Sequence, residues 1–112
     1  MKVHLIKEKT ITKYCRENAR AYPSFRDWLE KIDAADWESP QHIVRYFGHK
    51  RVDILGRGSR RVVFDIGGNE YRIICQYFFG KSMVHLYIQW IGTHAEYSKV
   101  CNSNLQYEIS NY

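Results

Sequence analysis

The chain has 112 residues, of which 45% are hydrophobic and 15% aromatic, and its formal net charge is +5. That length is typical of one domain, and that composition excludes a disordered chain. No apolar run approaches the roughly 18–20 residues of a membrane-spanning helix, and the apolar start is too short for a secretory signal. Three widely separated cysteines, Cys15, Cys75 and Cys101, suit free thiols in a reducing compartment. We therefore expect a cytoplasmic protein with a single core.

The positive charge is concentrated in the middle of the sequence. Residues 45–72 contain seven lysines and arginines against three carboxylates, a balance of +4, whereas the flanking segments are nearly neutral. A clustered basic excess is typical of a protein that binds a polyanion. An isolated charge run is more often a solvated loop, but this run leads directly into a predicted strand. The candidate RNA-binding side chains are Lys50, Arg51, Arg57, Arg60 and Arg61.

The N-terminal part is predicted to form a strand followed by a helical hairpin. Residues 2–6 alternate polar and apolar, as in a β-strand. Apolar residues recur at helical spacing from 7 to 22, and Pro23 is expected to stop that helix. A second helix is expected at about 24–35, antiparallel to the first.

A short third helix is predicted to begin at Ser39-Pro40, because serine caps helices and proline is tolerated in their first turn. Gly48 is expected to end this helix. Residues 48–60 are rich in glycine and basic side chains, and they are predicted to be a mobile connection.

Three strands are predicted in the second half of the chain, over 61–66, 70–79 and 83–91. Gly67-Gly68-Asn69 joins the first two, and its residues readily adopt the positive φ of a tight hairpin. Alternate residues of the middle strand lie on opposite faces of the sheet. One face is apolar and is expected to pack on the helices, whereas the other carries Arg72 and is the candidate functional surface.

A last short helix is predicted from Thr93, because Thr93 and Glu96 match a capping box. The helix would place His94 and Tyr97 three residues apart on one face. The polar tail at 101–112 gives no clear prediction.

Arg72, His94 and Tyr97 can together supply the chemistry of metal-free RNA cleavage. A histidine transfers protons near neutral pH, an arginine binds phosphate oxygens, and a tyrosine stacks on a base or relays a proton. Simpler interpretations are a surface histidine, an arginine that bridges Glu70 or Asp65, and a tyrosine at the edge of the core. No Cys/His spacing typical of zinc sites is visible, so we expect neither a metal nor another cofactor. The other histidines are interpreted as surface or satisfied residues: His4, His42, His49 and His85.

These motifs resemble the signature of a known family. The segments Arg61-Val-Val-Phe-Asp-Ile-Gly-Gly-Asn-Glu-Tyr-Arg-Ile-Ile-Cys75 and Ile91-Gly-Thr-His-Ala-Glu-Tyr97 are similar to those of HigB-type toxins of bacterial type II toxin–antitoxin systems. The resemblance covers roughly residues 2–100. It implies a RelE/ParE-like α+β fold, with a small antiparallel sheet packed against two N-terminal helices. A single toxin domain would then occupy residues 1–100, followed by the tail at 101–112.

The same resemblance implies a ribosome-dependent messenger-RNA endonuclease that inhibits translation and is neutralised by a HigA-like helix-turn-helix antitoxin. Arg72 matches the strand arginine that acts on the scissile phosphate. His94 matches a position where related toxins place arginine or histidine, and Tyr97 matches a C-terminal tyrosine. The sequence departs from the family at Asp65, where asparagine is commoner, and at Ser98, where aspartate is frequent. The identity of the general base therefore stays open.

Two other functions also stay open. One is a ParE-like toxin that binds and poisons gyrase without cleaving RNA, and the other is a noncatalytic RNA-binding module. Fold alone does not separate them, because function depends on the site. The pair of His94 and Tyr97 favours the nuclease. The antitoxin is expected on the basic groove, on the helical hairpin or on the sheet edge, with the groove slightly favoured.

Overall fold

A five-stranded sheet in the order β1-β5-β4-β3-β2 organises the computed structural model, which describes residues 1–112. Strand β1 runs parallel to β5, and all other neighbours are antiparallel. The predicted α+β class is confirmed, and no helix is long and apolar enough to cross a membrane. In chain order the elements are β1 (Lys2–Ile6), α1 (Lys9–Glu17), α2 (Tyr22–Asp33), α3 (Pro40–Phe47), β2 (Val52–Ile54), β3 (Arg61–Ile66), β4 (Tyr71–Phe79), β5 (Met83–Thr93) and α4 (His94–Asn102).

The main core lies between the sheet and helices α1 to α3. Helix α2 contributes Phe25, Trp28 and Ile32, whose spacing places all three on one side of the helix. The Trp28 and Phe64 rings meet edge to face, with centroids 5.1 Å apart. Full burial of each large apolar side chain contributes about 1.5–3 kcal/mol to stability, so this layer fixes the helices on the sheet.

Pro23 lies in the first turn of α2 and does not end a helix, so the prediction for this residue was wrong. Helix α1 already ends at Glu17, where Asn18 Nδ2 donates to the carbonyl of Tyr14 at 3.0 Å. A 3₁₀ turn at Ala19–Ala21 then leads into α2. Proline is tolerated in the first turn of a helix, because its missing N–H has no partner there in any case.

The connection at 48–60 contains a strand that the sequence pattern did not predict. Strand β2 pairs with the outer side of β3, with Val52 opposite Phe64 and Ile54 opposite Val62. Val52 is buried in the main core. A strand of three residues is too short to show the alternation by which strands are predicted.

The turn between β3 and β4 confirms the predicted hairpin. Gly67, Gly68 and Asn69 have φ angles of 71°, 60° and 81°, a region that favours glycine and asparagine. A Cβ at position 67 would lie 2.8 Å from Ser24 Oγ, so a larger residue there would force the serine side chain to move. The turn thereby approaches helix α2 and fixes the start of β4.

The face of the sheet that carries Arg72 is not fully open, because α4 and the C-terminal tail pack on it. Their packing forms a second, smaller apolar cluster of Leu55, Val63, Ile74, Trp90 and Val100. Tyr107 and Ile109 of the tail pack against it. A bulge between β4 and β5 pairs Ile74 with Trp90 but Cys75 with Ile88. The candidate functional surface is consequently divided into two open regions, one on each side of this cluster.

Candidate functional site

A polar cavity of about 220 Å³ opens where the ends of β2, β3 and β4 meet helix α4. Two predicted catalytic residues, Arg72 and Tyr97, and two predicted RNA-binding residues, Lys50 and Arg51, line this cavity. We call it the Arg72 cavity. Its lining residues are His49, Lys50, Arg51, Val52, Asp53, Val63, Asp65, Arg72 and Tyr97.

The β3–β4 turn positions the guanidinium group of Arg72. Asp65 and Arg72 are direct cross-strand partners, and Arg72 Nη1 donates to Asp65 Oδ1 at 3.0 Å. Arg72 Nη1 also donates to the carbonyl of Tyr71 at 3.1 Å, and Nη2 donates to Asn69 Oδ1. The main-chain N–H of Asn69 in turn donates to Asp65 Oδ1 at 2.7 Å. These contacts leave Nε–H and one hydrogen of Nη2 free for a ligand.

Asp65 joins two arginines at the wall of the cavity. Its second oxygen, Oδ2, accepts a hydrogen bond from Arg51 Nη1 at 3.1 Å. The side chains of Asp65 and Arg72 are only 10% and 13% exposed, whereas that of Arg51 is 53% exposed. Removal of one partner from a buried ion pair strongly destabilises the folded protein. Asp65 therefore holds two cationic groups side by side that would otherwise repel each other.

Tyr97 lines the cavity from α4, and its ring packs against Trp90 with centroids 6.0 Å apart. Burial raises the pKa of Tyr97 well above its usual value, and a hydrogen bond with the Cys101 side chain adds to the effect. The nearby charge of Arg72 acts in the opposite direction and is the smaller effect. The phenol therefore keeps its proton at neutral pH, so it can donate a hydrogen bond but does not act as a base.

His94 does not line the Arg72 cavity. The predicted capping box is confirmed, since Thr93 N–H donates to Glu96 Oε1 at 2.7 Å and Glu96 N–H donates to Thr93 Oγ1 at 3.2 Å. His94 is therefore the first residue of α4, and its main-chain N–H donates to the carbonyl of Glu70 at 2.9 Å. Its side chain is exposed. The histidine in the cavity is His49. Its position next to Lys50 and Arg51 in the sequence was the signal that could have indicated its place in the site.

The remaining predicted RNA-binding arginines lie outside the Arg72 cavity, and one of them is buried. Arg57 stacks on the ring of Tyr107, 4.1 Å from its centroid, and Arg60 lines another cavity. Arg61 is only 5% exposed, and its Nη1 donates to the carbonyls of Gln106 at 3.1 Å and Ile109 at 2.7 Å. As placed, Arg61 fastens the tail to the sheet and offers no open charge to RNA. Sequence reasoning missed this because arginines are ordinarily exposed.

Comparison with known proteins agrees with this architecture. The sequence profile of the HigB toxin family, described as the RelE-like toxic component of a toxin-antitoxin system, matches residues 21–100. The match includes Arg72, His94 and Tyr97, together with the turn that supports Arg72. No curated protein matches the chain. Since the matched segment is most of the chain, the protein belongs to the HigB family of RelE-like toxins and has an antitoxin partner.

Proposed function

We propose that this toxin is a metal-independent, ribosome-dependent messenger-RNA endonuclease that inhibits translation in the cytoplasm. One observation carries the proposal: Arg72 and Tyr97 converge on a small polar cavity with Lys50 and Arg51. The cavity holds three permanently cationic side chains against the carboxylates of Asp53 and Asp65, which leaves a positive balance for a phosphate.

In the proposed reaction the 2′-oxygen of the RNA attacks the adjacent phosphorus atom. The bond from phosphorus to the 5′-oxygen breaks, which leaves a 2′,3′-cyclic phosphate and a 5′-hydroxyl end. A base takes the proton of the 2′-hydroxyl, and an acid gives a proton to the leaving 5′-oxygen. The reaction balances without a metal or an added co-reactant.

Arg72 is proposed to bind the scissile phosphate and to stabilise its additional charge in the transition state. Its free Nε–H and Nη2 hydrogens suit two phosphate oxygens, and Asp65 holds the guanidinium in place. One well-placed donor of this kind accelerates a reaction by about 10²–10³-fold. Tyr97, whose phenol stays protonated, is proposed to donate to the leaving oxygen or to stack on a base.

Two histidines are candidates for the proton acceptor. His94 is the residue that the family resemblance indicates, and it lies at the start of the helix that carries Tyr97. His49 lines the Arg72 cavity itself. Positioned acid–base catalysis contributes about 10²–10⁴-fold, so loss of the residue that fills this role has a large effect.

The ribosome is proposed to hold the messenger RNA in a reactive geometry, because the residues of the cavity alone supply a modest acceleration. Lys50, Arg51, Arg57 and Arg60 are the proposed contacts to RNA phosphates. Arg61 is not among these contacts, because its guanidinium is bound to the tail. The antitoxin is proposed to be a HigA-like helix-turn-helix protein that covers the basic groove or blocks entry to the ribosome from the helical hairpin.

The direct test adds the purified toxin to a translating extract and maps the ends of the messenger RNA. A parallel reaction measures DNA cleavage by gyrase. The expected result is messenger-RNA cleavage that requires ribosomes and leaves 2′,3′-cyclic phosphate ends. Intact messenger RNA together with gyrase-dependent DNA breaks would show the ParE-like function instead. Binding of RNA without any cleavage would show a noncatalytic module.

A further inference from the structure

A second cavity, of about 380 Å³, lies toward the other end of β4, beyond the apolar cluster under α4. Its volume is within the range of about 300–1,000 Å³ that is usual for ligand sites. Gln76 and Phe78 of β4 lie on the same face of the sheet as Arg72, since alternate residues share a face. No acidic side chain lines this cavity. The lining residues are Arg60, Gln76, Tyr77, Phe78, Tyr87 and Gln89.

Two large aromatic side chains are exposed in this region. Phe78 is 49% exposed and Tyr87 is 39% exposed, on neighbouring strands. The ring of His85 lies between them, with centroids 6.3 Å from Phe78 and 6.4 Å from Tyr87. The three rings are inclined to their neighbours by only 38° and 33°. The faces of these exposed rings are therefore available for contact with a partner.

The polar groups around these rings fit a nucleic acid. Arg60 has a φ of 55°, which is uncommon for arginine, and its carbonyl accepts a hydrogen bond from the Tyr77 N–H at 2.8 Å. Gln89 Oε1 accepts a hydrogen bond from Ser110 Oγ at 2.8 Å, which orients this amide. Gln89 Nε2 donates to Gln76 Oε1 at 3.4 Å, a long bond that the edge of a base can replace. Aromatic faces beside a cation and amide groups are the usual means of binding unpaired nucleotides.

We propose that Arg60, Gln76, Phe78, Tyr87 and Gln89 form a stacking platform for unpaired bases of single-stranded RNA. The platform deepens the proposed nuclease function, on which it rests, by naming a second place where RNA is held. The rings stack on bases, Arg60 binds a phosphate, and the two glutamines bond to base edges. The positive charge and the absence of carboxylates favour RNA over a protein surface as the occupant.

The platform is remote from the proposed reaction centre. Phe78 follows Arg72 by six positions on β4, which corresponds to roughly 20 Å along an extended strand. An RNA strand that contacts both residues therefore extends over several nucleotides. The platform contributes to the affinity for the substrate strand, whereas Arg72 acts on the phosphate that is cleaved.

The test measures the affinity of the full-length toxin for a short unstructured RNA that is 2′-O-methylated and cannot be cleaved by 2′-oxygen attack. Phe78→Ala and Tyr87→Ala are each expected to weaken binding by roughly 5- to 150-fold, the range typical for loss of one stacked base. Phe78→Tyr and Tyr87→Phe keep the rings and are expected to bind like the parent. The affinity for a duplex of the same sequence should differ little between the parent and the alanine variants, because the bases of a duplex are not accessible for stacking.

Tyr22→Ala is the matched control, since Tyr22 is also 49% exposed but lies on α2. It is expected to leave RNA affinity unchanged. Parent-like affinity in both alanine variants would overturn the proposal. So would a loss in Arg60→Ala alone, which would indicate a purely electrostatic groove. Weaker antitoxin binding with unchanged RNA affinity would instead assign the patch to the antitoxin.

The outcome is independent of the proposed cleavage reaction. If the parent cleaves messenger RNA but the alanine variants keep full RNA affinity, the platform is wrong and the nuclease proposal stands. If the parent cleaves nothing but the alanine variants lose RNA affinity, the platform stands and the nuclease proposal is wrong.

Discussion

At the scale of single residues, Asp65 is the carboxylate of the Arg72 cavity that pairs with its arginines. Asp65 accepts hydrogen bonds from Arg51, from Arg72 and from the main chain of Asn69. Asp65 therefore supports the fold of the hairpin and also offsets part of the charge that a phosphate would meet. These two effects of the carboxylate are separable by substitution.

Asp65→Asn is expected to tighten RNA binding and to steepen its dependence on salt. The amide oxygen can still accept the Asn69 N–H, but the ion pairs with Arg51 and Arg72 are lost, so two cations become available for phosphates. Unfolding in denaturant should show a loss of about 1–3 kcal/mol. Asp53→Asn removes the same charge from the cavity without breaking an ion pair. It should change the RNA affinity less and leave stability unchanged, and equal effects of both substitutions would contradict the account.

The proton acceptor is identified by comparing His49→Gln with His94→Gln over a range of pH. Substitution of the acceptor is expected to flatten the pH dependence of the cleavage rate and to lower that rate by about 100-fold or more. Substitution of the other histidine should leave both properties unchanged, as should the surface control His4→Gln. If the double variant keeps the parent profile, neither histidine is the base.

At the scale of elements, the features that neighbouring residues determine were predicted well. The features that tertiary packing determines were not. The capping box at Thr93 and the turn at Gly67-Gly68-Asn69 are set by neighbouring residues, and both were confirmed. Proline can follow the end of one helix or lie in the first turn of the next. Only packing therefore decided the role of Pro23. The burial of Arg61 under the tail could not be predicted, because the acceptors at Gln106 and Ile109 lie more than 40 residues away.

The candidate site was predicted in part for the same reason. Arg72 and Tyr97 were found from the strand and helix patterns, which orient side chains locally. His49 was missed because it lies in the irregular connection after α3, where sequence periodicity carries no information about direction. The neighbouring strand β2, which brings this connection to the cavity, was missed as well.

Gly92→Ala is expected to weaken the packing of α4 on the sheet. A Cβ at position 92 would lie 2.4 Å from Trp90 Cη2, and this ring belongs to the apolar cluster under α4. Overpacking of this kind typically costs about 1–3 kcal/mol. Denaturant unfolding should show the loss, and faster proteolysis should be confined to the α4 segment. Gly56→Ala, where a Cβ meets no neighbour, is the control, and equal loss in both variants would contradict the explanation.

At the scale of the whole molecule, burial of phenol groups makes the folded state less stable at alkaline pH. Burial raises the pKa of Tyr14 to about 12 and raises that of Tyr97 further. Unfolded tyrosines lose their protons near pH ~10, so the unfolded state is favoured increasingly as the pH rises above that value. The contribution of these phenols to the free energy of unfolding is expected to be constant below this point and to fall above it. Tyr97→Phe should reduce the slope of the fall, and an unchanged slope would show that Tyr97 is not buried in solution.

The two cavities and the cluster between them lie on one side of the sheet, opposite helices α1 to α3, and this is the side that we propose faces the RNA. The Arg72 cavity lies at one end of this side, and the proposed stacking platform lies at the other. The helices contribute the rigid core, and their outer surface is left for other contacts. The central claim is that the Arg72 cavity performs the reaction and does more than attach the toxin to RNA.

The most direct test of that claim compares the parent with Arg72→Ala. The quantity measured is the rate of messenger-RNA cleavage on translating ribosomes at saturating toxin. A contact that forms fully only in the transition state affects the rate and not the binding. The predicted result is a decrease in the cleavage rate of about 100-fold or more, with ribosome affinity close to that of the parent. Parent-like cleavage by Arg72→Ala at saturation, with only weaker ribosome binding, would contradict the account.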